Sequence, residues 1–188
     1  MARPIEYNKN EVLRNAMETF WHRGYESTSM KDLVSATGLT TRSMYNIFES
    51  KKGLFQASLD WYYQSVIKVG MDKLREEDGL EAIKNFLIKI TGVFDGSNGC
   101  LYTNTMSDRY SIDETSITVV DSFFQELEAL LVDKLTYARD YEGYKNDPDI
   151  RAKYLVIVIQ GMSVYSKKFK SSEERKRVLE DVLMMIYR

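Results

Sequence analysis

Six polar side chains crowd into seven positions at Thr40, Thr41, Arg42, Ser43, Tyr45 and Asn46. Hydroxyls, an amide and a guanidinium at this density are groups that hydrogen-bond to phosphate oxygens and base edges of a nucleic acid. Arg42 can make a bidentate contact to guanine, grip a phosphate or stay solvated. Thr40, Thr41 and Ser43 can donate to phosphates or bases, and Asn46 fits a phosphate or an adenine. Thr28 and Ser29 precede another helix start, where backbone N–H groups and a hydroxyl can hold a phosphate. Elsewhere, Cys100 is the only cysteine. In the first turn of a short helix after Gly99, its thiol would be favoured as thiolate by the helix dipole; the alternative is a small residue fitting a tight helix start. His22, the only histidine, has no partner at metal-ligand spacing, and no GxSxG, Walker or HExxH pattern occurs. An enzyme would therefore need an unusual constellation of residues, and no metal or cofactor site is expected.

The elements around the polar cluster follow from apolar spacing. Ser29 and Asp32 fit a capping box that opens a helix carrying Met30, Leu33 and Val34 on one face, and Gly38 ends it. Thr40 caps the next helix, whose buried side is Met44, Ile47 and Phe48. That leaves Thr41, Arg42, Ser43, Tyr45 and Asn46 outward, the surface with which a helix-turn-helix enters the DNA major groove. A first helix from near Asn8 to before Gly24 presents Val12, Leu13, Ala16, Met17 and Phe20. Ser50 caps a fourth, with Leu54, Phe55, Leu59, Tyr62 and Val66, and no Gly/Ser/Pro-rich linker follows it.

The run GLTTRSMYNIFESKKGLF, preceded by AMETFWHRGYESTSMKDLVSATG, resembles the signature of the TetR family of one-component transcriptional regulators. The likeness spans about residues 8 to 66. Arg42 stands where the family often has a small residue, a change that bears on which bases are read, and Ile47 replaces a frequent aromatic. The resemblance implies an all-α chain of about nine helices. Residues 1–50 would form a three-helix DNA-binding domain and 51–188 an effector-binding and dimerisation domain, with helix 51–70 joining them. It gives Tyr45 and Lys51 the role of phosphate contacts and implies a four-helix dimer bundle at the chain's end. It places a small-molecule effector site in the large domain. GCLYTN resembles a Gly-Cys-Leu motif of a subgroup in which some members sense electrophiles through that cysteine.

Composition is compatible with this. The 188 residues are 44% hydrophobic and 29% charged, with only two prolines, Pro4 and Pro148, as a helical protein requires. One cysteine, no apolar run of membrane length and no signal peptide lead to the expectation of a cytoplasmic protein. Net charge is −2, yet residues 1–55 hold eight Lys/Arg (Arg3 among them) against six Asp/Glu, leaving eighteen against twenty-two beyond. The slight basic excess lies where phosphates would be neutralised. In the larger part, helical spacing appears at Leu80 to Phe94, after which 95–99 is a turn. It recurs at Cys100 to Asp108, Val119 to Leu135, from Pro148 to Tyr165 and from Ser172 on. The last two of these helices are apolar on more than one side. Ile157, Gly161, Val182, Leu183 and Ile186 are accordingly expected in a two-fold homodimer interface. Tyr102, Asn104, Phe123 and Tyr154 are the expected walls of a mostly apolar effector pocket.

Three functions remain open at this level. The first is a dimeric repressor on a palindromic double-stranded DNA operator, released by a small molecule. The second is a DNA-binding regulator responding through Cys100. The third is a helical enzyme or scaffold that retains the reader domain.

Overall fold

A computed structural model describes residues 7–93, 98–169 and 171–187. Arg3, Pro4, Phe94 and the 95–97 part of the expected turn lie outside them. The described residues form ten α-helices and no strand: α1 Lys9–Arg23, α2 Met30–Thr37, α3 Thr41–Phe48, α4 Lys51–Tyr62, α5 Lys68–Glu76, α6 Gly79–Val93, α7 Leu101–Ser107, α8 Glu114–Tyr141, α9 Pro148–Tyr165 and α10 Ser172–Ile186. α4 and α5 are one rod joined by a π turn, Tyr63–Ile67, so the rods number nine among the described residues.

The first four helices start and stop where their capping chemistry dictates. Asn8 Oδ1 accepts from the Asn10 and Glu11 N–H groups, and Gly24 ends α1. Ser29 and Asp32 close the expected capping box on α2, which Gly38 terminates in the left-handed conformation at φ 72°. Val12, Leu13, Ala16, Met17 and Phe20 of α1 are buried against Leu33, Met44, Leu54 and Phe55. The Phe20 and Phe55 rings meet edge to face at 5.0 Å, and Tyr25 lies 4.8 Å from Phe55. Each such pair contributes about 0.5–1.5 kcal/mol beyond its buried area. α4 therefore closes the core beneath α1 before it continues as the connecting rod.

The π turn has a cause in the sequence. Among the buried residues of α4 are Phe55, Leu59 and Tyr62, and among those that continue the rod are Ile67, Met71 and Leu74. The step from Tyr62 to Ile67 is one residue longer than an α-helical turn accommodates, and the wide turn absorbs it; the Lys68 N–H accordingly donates to Tyr63 O. The rod is also longer than the sequence suggested, running over 51–76 rather than 51–70.

α8, the longest helix, is the spine of the larger part. α6, α7 and α9 pack around it, burying Val120, Leu127, Leu131 and Leu135. Lys134, almost fully buried, is neutralised by Asp78 (3.0 Å) and Asp133 (3.1 Å). At the other end of α8, its N-cap Asp113 also accepts from Gln56 (3.2 Å) and pairs with Lys52 (3.2 Å), tying α8 to α4. Burial raises the Asp113 carboxyl, but hydrogen bonds from Ser116 and Lys52 outweigh it and hold the group below its usual range.

Candidate functional site

α3 is short and sharply two-sided. Met44 and Phe48 are buried and Ile47 half-buried, while Thr41, Arg42, Tyr45 and Asn46 are exposed. Thr40 caps the helix: its Oγ1 accepts from the Ser43 N–H at 3.1 Å and lies 2.9 Å from Ser43 Oγ. These two hydroxyls already satisfy each other, so Thr40 and Ser43 present a fixed edge rather than free rotors. The side chains of Arg42, Tyr45 and Asn46 make no hydrogen bond or ion pair among the described residues. Tyr45 is 47% exposed although tyrosine is amphipathic and usually covered.

Lys51 opens α4 and folds back over the turn before α2. Its Nζ stands 4.4 Å from the centroid of the Tyr25 ring and 3.4 Å from the Glu26 carbonyl. The ammonium is held near the Ser29 end of α2 and keeps donors to spare. Thr28 requires a correction. It was expected at the surface beside Ser29, but it is 1% exposed, with its hydroxyl donating to Gly24 O (2.7 Å) and its N–H to Tyr25 O (3.3 Å). The turn after Gly24 folds Thr28 inward as its own bracket, and only Ser29 remains outside.

The expected pocket residues scatter. Phe123 lines an apolar cavity of about 40 Å³ together with Tyr62, Ile67, Phe86, Cys100 and Leu127. Tyr102 is instead packed between Phe123 (5.1 Å) and Tyr62 (5.9 Å), its hydroxyl donating to Leu59 O at 3.4 Å. Asn104 faces an open groove between α1 and α7. Tyr154 lies over the end of α10, its Oη 3.3 Å from Met185 Sδ. Successive residues of a helix diverge by about 100°, so residues two apart on α7 cannot share a wall. Burial pushes the Tyr62 phenol well above its usual range, with the Cys100 thiol beside it. Cys100 is the N-cap residue of α7 rather than part of its first turn, is buried, and donates its N–H to Ser163 Oγ at 2.7 Å. Tyr62 and Phe86 carried only the signal of an apolar stripe, which does not separate a cavity wall from a filled core, and Ile67 stood one position beyond the stripe read as reaching Val66.

The expected dimer set also divides. Ile157 is 68% exposed, and a Cβ on exposed Gly161 would have nothing within 4 Å. Leu183 is half-buried. Val182 and Ile186, however, are buried within their own chain, on the face of α10 that includes Leu179. α10 spends that face on α6 and offers Met184 outward instead. Exposed Ile150 and Val164 extend the Ile157 stripe at seven-residue intervals. Among the described residues, no group of three or more His, Cys, Asp or Glu could hold a metal, and no helix is long and apolar enough to cross a membrane.

The family sequence model described as "Bacterial regulatory proteins, tetR family" matches residues 12–58. The chain is 29% identical over 192 residues to the HTH-type transcriptional repressor ComR of Escherichia coli (strain K12), covering 98% of this chain and 91% of that protein. It is 25% identical over 162 residues to YezE, an HTH-type transcriptional regulator of Bacillus subtilis (strain 168), covering 82% and 84%. Among solved structures, a cysteine-substituted form of the TetR family regulator CifR complexed with 26-bp double-strand operator DNA superposes with a TM-score of 0.82 at 23% identity, over 97% of this chain and 98% of that one. The reduced form of E. coli NemR gives a TM-score of 0.75 at 20% identity, over 92% and 93%.

Proposed function

The chain belongs to the TetR family of bacterial regulatory proteins, and from that membership we propose a dimeric repressor that reads a palindromic operator with two copies of α3. A small-molecule effector in the larger domain releases it. In this reading the reader domain ends near residue 50, the remainder binds effector and partner, and the protein acts on DNA in the cytoplasm. The bare outer face of α3 carries the proposal: Thr41, Arg42, Tyr45 and Asn46 stand exposed with side chains that make no hydrogen bond among the described residues, beside a bonded Thr40 and Ser43. Polar groups fixed in place but left without partners are suited to meeting those of a duplex. Arg42 reads a base, and Lys51, held over Tyr25, grips a phosphate.

The two roles separate by measurement. Arg42→Ala is expected to weaken the best operator by about 1–3 kcal/mol and to relax preference at one base position. Lys51→Ala should weaken every sequence alike and reduce the slope of affinity against salt by about one ion. Fluorescence anisotropy on specific and scrambled duplexes over a salt series reads both. An equal loss for Arg42→Ala on both duplexes would remove its base-reading role.

The apolar cavity bears on the effector. At about 40 Å³ it is far below the roughly 300 Å³ of an ordinary ligand site. An effector therefore binds there by prising Phe123, Tyr62 and their neighbours apart, favouring a different conformation from the one that holds DNA. Cys100 on the same wall favours a second reading, in which the load on the cavity is a modification of its thiol. Loss of the response in Cys100→Ser would select that reading, and an intact response would dismiss it.

A further inference from the structure

The segment Asn98-Gly99-Cys100 touches three parts of the molecule at once. Asn98 O accepts from Trp21 Nε1 on α1 (3.2 Å) and from Asn104 Nδ2 on α7 (2.8 Å). The Asn98 side-chain amide donates to His22 Nδ1, also on α1, at 2.7 Å. Two residues on, the Cys100 N–H donates to Ser163 Oγ on α9. Gly99 adopts φ 69° and lies so close to α9 that a Cβ would stand 2.4 Å from Ser163 O. Only glycine fits that conformation and that approach. A continuous path of short hydrogen bonds and backbone contact thus runs from α9 to the end of α1.

We infer that this path is a clasp that sets the orientation of α1, and with it α3, relative to α9, and that Asn98, Trp21 and Asn104 are positioning residues for operator half-site spacing. The inference rests on the dimeric, operator-reading function proposed above. One covalent rod, α4, joins the reader helices to the rest, and a body held by a single rod can still swing about it. The clasp makes a second attachment at the C-terminal end of α1, through Trp21 and His22, and Asp113 bound to Lys52 and Gln56 steadies the rod itself. With α9 carrying the exposed stripe at the two-fold, the attachment fixes how far apart the two α3 helices stand. Half-sites one helical turn apart are read well only at that separation.

The test uses the full-length protein and an operator selected from a random duplex library, rebuilt with one or two base pairs added or removed between its half-sites. Wild type is expected to bind the altered duplexes at least about tenfold more weakly than the parent. Asn98→Ala and Trp21→Phe are expected to bind the whole series within about threefold, because each deletes a clasp hydrogen bond without touching α3. Asn104→Ala, a change at a half-buried position, provides a third variant should Trp21→Phe melt early. Variants that keep the sharp wild-type profile would overturn the clasp. So would a wild type indifferent to spacing, which would leave operator binding intact as a function. Absence of salt-sensitive binding to any duplex by wild type would instead take down the operator reading, and the clasp with it.

Discussion

Gly53→Ala is expected to destabilise the protein by about 3 kcal/mol and to abolish operator binding in the same stroke. The sign is informative, because glycine to alanine inside a helix otherwise gains about 1 kcal/mol. Here the added methyl carbon would stand 2.1 Å from the Phe48 carbonyl oxygen and 3.2 Å from its carbon, both backbone atoms that no rotamer change can move. That carbonyl belongs to the last residue of α3, and the chain reaches α4 through Glu49 at φ 66° and the cap Ser50. α4 can relieve the clash only by withdrawing roughly an ångström from the end of α3, which loosens Leu54 and Phe55 beneath α1. Urea unfolding followed by tryptophan fluorescence, beside anisotropy on the operator, measures both losses. A variant as stable as wild type would show that the two helices do not meet this closely.

Ile157→Glu is expected to leave the monomer folded and to remove the dimer. Ile157 is 68% exposed, and Ile150 and Val164 on the same stripe are 66% and 55% exposed, so the folded chain gains little from them. Apolar side chains this bare at seven-residue intervals are what the partner would cover in the proposed dimer. A charge buried there without a counter-ion costs about 3–5 kcal/mol, and a two-fold axis presents it twice. Sedimentation should show wild type as a dimer at micromolar concentration and the variant as a monomer with an unchanged helical spectrum and no hold on a palindromic duplex. Val182→Glu serves as the contrast: that side chain is buried within its own chain, so the same charge should unfold it. Dimers of undiminished affinity in Ile157→Glu would move the interface elsewhere.

What could be read from the sequence was chiefly what is decided within one helical turn. Ser29, Thr40 and Ser50 each cap a helix by accepting from the backbone N–H three residues on, with Asp32 closing the box on Ser29, and each stands as the spacing implied. The outward set on α3 followed from the same periodicity. Thr28 was misplaced because its burial depends on a turn around Gly24 that no apolar period reports. Val182 and Ile186 were misplaced for a different reason. α10 carries apolar residues on two sides, and only the packing of α6 decides which side is spent internally. Tyr102 packs against Phe123 without lining its cavity, and Asn104 and Tyr154 lie elsewhere, because a cavity is assembled from several helices, whose mutual rotations are absent from any single stripe. The bonds of Asn98 to α1 span more than seventy positions, and asparagine in a turn looks the same whether or not it holds something.

The π turn at Tyr63–Ile67 gives the rod an inheritance of its own. A straight α-helix would put Met71 and Leu74 about 100° out of phase with Phe55 and Leu59, and the wide turn restores the phase. The wide turn is therefore what the surplus residue requires. Losing a single codon within it would leave an unbroken α-helix whose residues beyond still face α6 and α8. Descendants of this gene can shorten the rod by that one residue without turning its far half, whereas a second loss would rotate everything beyond by about 100°. In lineages that lack the extra residue, the apolar stripe beyond the turn should be found shifted by one position.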